Sequence, residues 1–223
     1  MDFKNGEILY FNKPLHWTSF DLVNKVRCLI TKEIGEKIKV GHAGTLDPLA
    51  TGVMILATGK ATKQIEQLQS GIKEYIATLK LGETTPSFDL EHPVDKTFET
   101  EHITRKLVEE KLTQFKGEIW QIPPVYSAIK VNGKRAFDYA RKGNEVELQP
   151  KLLAINELEI LDFALPYLKI RVVCSRGTYI RALARDIGEA LNSGAYLTEL
   201  QRTRIGEVRL ENCMEIENFL VIK

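Results

Sequence analysis

Gly41-His42-Ala43-Gly44-Thr45-Leu46-Asp47-Pro48-Leu49-Ala50-Thr51-Gly52 is the most constrained stretch of this 223-residue chain. Its glycines imply a backbone folded tightly on itself, because glycine enters positive-φ and close-approach conformations at little cost. Such a loop is a scaffold for one fixed side chain, and its single acid is Asp47. An apolar run, Val53 to Ala57, follows, and then Gly59-Lys60-Ala61-Thr62-Lys63. Two phosphate-binding motifs are excluded. A P-loop needs Ser or Thr after Gly-Lys, where Ala61 stands, and no G-x-G-x-x-G is present. Taken alone, an Asp-Pro in a glycine-rich loop is a turn.

Working outward, the flanking segments read as irregularly interleaved strands and helices. Ile8 to Phe11 is a short strand ending at Lys13-Pro14. Thr18 or Ser19 caps a helix with Leu22, Val23, Val26, Leu29 and Ile30 on its stripe, and Thr18 with Asp21 fits a capping box. Tyr75 to Leu81 alternates as a half-buried strand. Leu107, Val108, Lys111, Leu112 and Phe115 predict a helix stopped by Gly117. Asn132-Gly133 predicts a tight turn between Ile129-Lys130-Val131 and Lys134-Arg135. Leu168 to Cys174 alternates again and runs through Ser175-Arg176-Gly177-Thr178 into a helix carrying Ile180, Leu183, Ala184, Ile187 and Leu191. Without regular βαβ alternation, the expected class is α+β, a mixed and largely antiparallel sheet flanked by helices.

Composition excludes several function classes. The chain is 43% hydrophobic and 27% charged, ordinary for a globular protein, with no apolar run approaching a membrane span and no secretory pattern at its start. A cytoplasmic protein without membrane contact is expected. Cys28, Cys174 and Cys213 are odd in number and far apart, which argues against a disulfide framework. His16, His42, His92 and His102 lack metal-ligand spacing, so neither a metal nor any other cofactor is expected. Net charge is +1, but residues 83 to 110 are rich in acids and 169 to 209 in bases. A polyanion would meet the second surface and avoid the first, unless both are ordinary solvated faces.

The loop from Gly41 to Gly52 resembles the signature loop of bacterial tRNA pseudouridine-55 synthases, the TruB family, whose Asp is catalytic. Other blocks resemble the family's motifs in the same order. They are Lys13-Pro14 with Thr18-Ser19; Lys73-Glu74-Tyr75 leading to Leu81-Gly82; Ile122-Pro123-Pro124-Val125-Tyr126-Ser127-Ala128-Ile129-Lys130 with Gly133-Lys134-Arg135; Cys174 to Arg181; and Leu197 to Gly206. This chain departs from the family at His16, where Gly is usual, and at Thr85-Pro86-Ser87, where Thr-Asp-Thr is usual. The resemblance implies a pseudouridine synthase fold with one catalytic domain over 1–212. A C-terminal tail over 213–223 would follow, without the family's usual RNA-binding PUA domain.

It also implies the chemistry. Pseudouridine formation breaks the bond from ribose C1′ to uracil N1 and rebuilds it to C5. That needs an ionised carboxylate, a base for the C5 proton and a dry pocket around an extruded uridine. The resemblance makes Asp47 the catalytic nucleophile, acting by addition to uracil C6, attack at C1′ or removal of the C2′ proton. Tyr75 stands against the ring and helps remove the C5 proton. Arg181 is the cation that keeps the carboxylate charged. Tyr179 and Leu200 complete the pocket, and His42 stacks in the gap left by extruded bases. Lys130, Lys134, Arg135, Arg202 and Arg204 would meet RNA phosphates. The implied partner is the T-arm of tRNA, met by a monomer with no protein partner. A catalytically silent RNA-binding module would lack the joint Asp47, Tyr75 and Arg181 set. A glycosidase or nucleosidase would need a second paired carboxylate, which the matching blocks lack.

Overall fold

The computed structural model describes residues 1–131, 133–144 and 146–219. The chain forms two compact units, one of residues 1–76 with 200–223 and one of residues 77–199.

The first unit opens with β1 (Ile8–Lys13), α1 (Ser19–Ile34), β2 (Val40–His42), β3 (Ala50–Thr58) and α2 (Ile65–Ser70). Thr18 caps α1 by accepting the Asp21 amide, while the Asp21 carboxylate accepts the Thr18 amide at 2.8 Å. This reciprocal pair, worth about 0.5–2 kcal/mol, is the expected capping box. Left-handed Gly35 ends the helix. Leu22, Val23, Val26 and Ile30 are buried, and Leu29 lies at the edge of the stripe. β1 and β2 pair antiparallel with β3, and β1 extends two residues beyond Phe11, placing Lys13 opposite Gly52.

The chain passes into the second unit within β4 (Lys73–Leu81), whose strict alternation of buried and half-exposed residues matches the sequence reading. There follow β5 (Glu83–Thr84), β6 (Lys96–Thr97), α3 (Arg105–Leu112), β7 (Gly117–Gln121), β8 (Lys130–Val131), β9 (Lys134–Arg135), α4 (Ala136–Ala140), β10 (Lys151–Ala164), β11 (Tyr167–Cys174) and α5 (Ile180–Ala190). The strands run in the order β4-β11-β10-β7, with β10 antiparallel to both β11 and β7. Gly117 does not stop α3 as expected. The α-helix ends at Leu112, a 3-10 turn covers Thr113–Phe115, and Gly117 opens β7. The hairpin strands β8 and β9 pair Lys130 with Arg135 and Val131 with Lys134. Asn132, half of the expected turn, lies outside the described residues, as do the last four of the expected 213–223 tail.

The chain returns to the first unit within β12 (Ala195–Ile205), whose second half runs parallel to β3, and β13 (Val208–Arg209) pairs with its end. The segment after 212 packs rather than trails. Met214 exchanges backbone hydrogen bonds with β1, and Phe219, 4% exposed, sets its ring edge against Phe3 and Phe11. The architecture is α+β, a mixed and mostly antiparallel sheet flanked by helices. Among the described residues no helix is long and apolar enough to cross a membrane.

Candidate active site

In the first unit, every carbonyl from Gly44 to Pro48 has a partner. Arg202 donates to Gly44 and Thr45, both at 3.2 Å. Ser19 Oγ donates to the Leu46 carbonyl at 2.9 Å and accepts the Leu46 amide at 2.8 Å. The Asp47 carbonyl accepts from the Ala50 amide, and the Pro48 carbonyl from the His16 amide. The glycines make this possible. Gly44 and Gly52 have φ of +96° and +109°, and a Cβ on Gly52 would lie 2.8 Å from the Arg202 amide nitrogen, closer than carbon and nitrogen can pack. Five consecutive residues are thus pinned, with the half-buried Asp47 side chain in their midst.

Apart from the Ala50 amide, the pins come from the segments that resemble the family's opening and closing motifs. His16 sits at φ +66°, a left-handed conformation that glycine adopts freely and histidine does not, which gives the family's usual Gly at this position a backbone reason. Lys13 is fully buried and donates to the carbonyls of Pro14 and Trp17. Burial pushes its pKa down to about 8, with Asp47 pulling upward and Arg202 downward.

His42 ends β2, where burial lowers its pKa against a backbone interaction with Gly44, so the ring is uncharged at neutral pH. Tyr75, 8% exposed, lies on the buried side of β4, and half-buried Leu200 is opposite Ala50 at the end of the Asp47 loop. Asp47, His42, Tyr75 and Leu200 therefore all belong to the first unit.

Arg202 was expected on RNA phosphates and is not available to them. It is 1% exposed, and its Nε also donates to the Val53 carbonyl at 2.8 Å. It is buried within β12, and three carbonyls replace its hydration. Arg204 is half-buried, donates to the Gly206 carbonyl and stands 3.8 Å from Glu74.

The second unit holds Tyr179 and Arg181 at the start of α5. The buried Gln121 amide grips the Tyr179 backbone from both sides, accepting its amide at 2.9 Å and donating to its carbonyl at 3.2 Å. Arg181, 5% exposed, donates to the carbonyls of Ser87 at 3.1 Å and Tyr126 at 2.9 Å, and its Nε is 3.6 Å from the Asp89 carboxylate. The unusual Thr85-Pro86-Ser87 segment thus forms part of the collar around this arginine. Thr85 Oγ1 donates to the Asp89 carbonyl, and Phe88 takes φ +61° to bring the two ends round.

Asp89 was missed because it stands among the acids of 83 to 110, which looked like a solvated face. Here it is an internal counter-ion. Much of the basic stretch is likewise engaged within its own units. Arg171 bridges Glu157 and Glu159, and Arg185 pairs with Asp186, while Arg181, Arg202 and Arg204 have the partners already given. Lys130, Lys134 and Arg135 are exposed on the β8–β9 hairpin, as an RNA contact requires. Among the described residues no cluster of three or more His, Cys, Asp or Glu could hold a metal ion. A hollow of about 530 Å³ lined by Phe115, Trp120, Ile122, Arg185 and Glu189 holds none of the expected site residues.

The chain is similar to known proteins. Residues 32–180 match the TruB family pseudouridylate synthase N-terminal domain, and residues 181–222 match the tRNA pseudouridylate synthase B C-terminal domain. The chain is 69% identical to tRNA pseudouridine synthase B of Phocaeicola vulgatus, covering 98% of this chain and 94% of that one. It is 50% identical to the protein of the same name from Flavobacterium johnsoniae, covering 98% and 96%. Among solved structures, a Cbf5–Nop10–Gar1 complex contains a chain of 28% identity that superposes with a TM-score of 0.72 over 97% of this chain. A second, of an H/ACA RNP bound to a substrate RNA containing 2′-deoxyuridine, gives 26% and 0.68. This chain spans 54% and 52% of those two, about half of each. With the loop, its pins and matches running from residue 32 to residue 222 in agreement, the chain belongs to the TruB family of pseudouridylate synthases.

Proposed function

We propose that this chain isomerises uridine 55 in the T-loop of tRNA to pseudouridine, with Asp47 as nucleophile on an extruded uridine. The observation that carries the reading is the pinned loop. A carboxylate that must meet one atom of a flipped nucleoside gains from a backbone that cannot drift, since well-oriented reactants are worth several orders of magnitude in rate. The curated relatives named tRNA pseudouridine synthase B support the substrate class.

In this reading Asp47 attacks, the C1′–N1 bond breaks, the freed uracil turns within the pocket, and C5 bonds to C1′, with the Asp47 carboxylate released and the C5 proton lost. Tyr75 stands against the ring and assists loss of the C5 proton. Arg181 is the cation of the site, its own position fixed by the Ser87 and Tyr126 carbonyls and Asp89. Tyr179 holds the base by its hydroxyl, Leu200 supplies an apolar wall, and neutral His42 stacks where the extruded bases leave a gap. Lys130, Lys134 and Arg135 take the phosphates of the T-arm. The chain acts in the cytoplasm as a monomer and needs no metal or diffusible cofactor.

Asp47→Asn tests the reading. Asparagine fits the loop but cannot serve as nucleophile or base. The variant should fold, bind tRNA transcript and lose turnover by about three orders of magnitude or more. Activity within about tenfold of wild type would refute the assignment.

A further inference from the structure

Arg202 has no part in the chemistry described above, yet it is the largest fully buried side chain among the described residues. An arginine cannot shed its charge on burial, so its solvation must be replaced by fixed acceptors. The acceptors here are three main-chain carbonyls, two preceding Asp47 (Gly44 and Thr45) and one after it (Val53). A planar fork held by acceptors on both sides of one residue fixes the distance between them. Arg202 is also opposite Gly52, and only a glycine there lets β12 come close enough for the guanidinium to reach.

We propose that Arg202 is a positioning residue for the reaction: its guanidinium clasps the Asp47 loop on both sides and sets where the carboxylate stands. This rests on the reading of Asp47 as the catalytic carboxylate. Stability alone does not call for this arrangement, since a buried cation held by neutral carbonyls is a poor substitute for apolar packing. Lysine cannot replace the clasp. Its ammonium is a point donor on a shorter stem and cannot span three carbonyls lying on two sides of the loop.

The test uses the full chain and a tRNA transcript labelled with tritium at uridine C5, the position whose hydrogen is lost on isomerisation. Single-turnover rate, RNA affinity and thermal midpoint are measured for wild type, Arg202→Lys and Ile30→Val, all well below their melting temperatures. Ile30→Val removes a buried methyl from α1 and serves as a control for lost stability alone. Arg202→Lys should lose about 100-fold in single-turnover rate, the scale of an ångström-sized misplacement, with RNA affinity within about threefold of wild type. Ile30→Val should keep its rate.

A folded Arg202→Lys with a near-normal rate would overturn the proposal. So would a loss of RNA affinity that accounts for the loss of rate, which would make Arg202 a recognition residue. Should Arg202→Lys fail to fold, hydrogen exchange on the wild type still decides. The Ala50 amide, which donates to the Asp47 carbonyl, should be protected like the amides of β3, and exchange at the speed of an open loop would refute a clasped loop. Asp47→Asn keeps the two readings apart: if it is active the assignment of Asp47 fails, and if it is inactive beside a normal Arg202→Lys only the clasp fails.

Discussion

Gly44 and Gly52 carry nearly the same backbone burden in different surroundings, so alanine at each separates conformational strain from lack of room. Both have positive φ, +96° and +109°, where an L residue is disfavoured by about 1–2 kcal/mol. On Gly44 a new Cβ would have the Arg202 Nη1 as its nearest neighbour at 3.8 Å, an ordinary contact. On Gly52 it would lie 2.8 Å from the Arg202 nitrogen and 2.9 Å from its carbonyl carbon, with the parallel pairing of β3 and β12 holding both backbones in place. Overpacking of that kind adds about 1–3 kcal/mol. Alanine recovers about 0.4–1 kcal/mol by restricting the unfolded chain, equally at both sites. The net expectation is about 0.5–1.5 kcal/mol for Gly44→Ala and about 1.5–4 kcal/mol for Gly52→Ala. At this chain length the second should lower the melting temperature by about 3–16 °C. Urea titration of both variants at one pH, alongside thermal melts, is the assay. Equal losses at the two positions, or a Gly52→Ala change below about 1 kcal/mol, would refute the claim that contact with β12 makes glycine obligatory there.

Two further outcomes are expected. Asp89→Asn removes the counter-ion from buried Arg181 while leaving its Ser87 and Tyr126 carbonyls, so stability should fall by about 3 kcal/mol, the low end for breaking a buried pair from one side; a change under about 1 kcal/mol in urea would show that the carbonyls suffice. Lys13 has a folded pKa of about 8, below the 10.5 of the unfolded chain, so unfolding takes up a proton between those values. Its charged form opposes folding below pH 8, and that penalty fades as pH rises towards 10.5; the stability of wild type relative to Lys13→Met should therefore climb over this window by at most about 1.4 kcal/mol per pH unit, and a flat difference would contradict a desolvated lysine.

Local signals in the chain determined a good deal. The capping box at Thr18 and Asp21, the alternation of Tyr75 to Leu81 and the stripe of α5 each depend on residues a few positions apart, and periodicity reports such relations directly. The glycines around Asp47 announced a tight loop for the same reason. Gly117 misled because a glycine at positive φ serves equally to stop a helix or to begin a strand, and only the pairing of β7 with β10 distinguishes them. The long strand β10 and the strand β12 went unread, since their pattern is set by which neighbour covers each face. What holds the loop was hidden altogether. Arg202, expected on RNA, and Asp89, expected in solvent, carry the same charges in either place. Residues 157 positions apart, Thr45 and Arg202, meet only when β12 is laid beside β3. Burial turns a charged side chain from a surface contact into an internal brace, and burial is a property of the assembled fold, because it depends on what the rest of the chain places around the group.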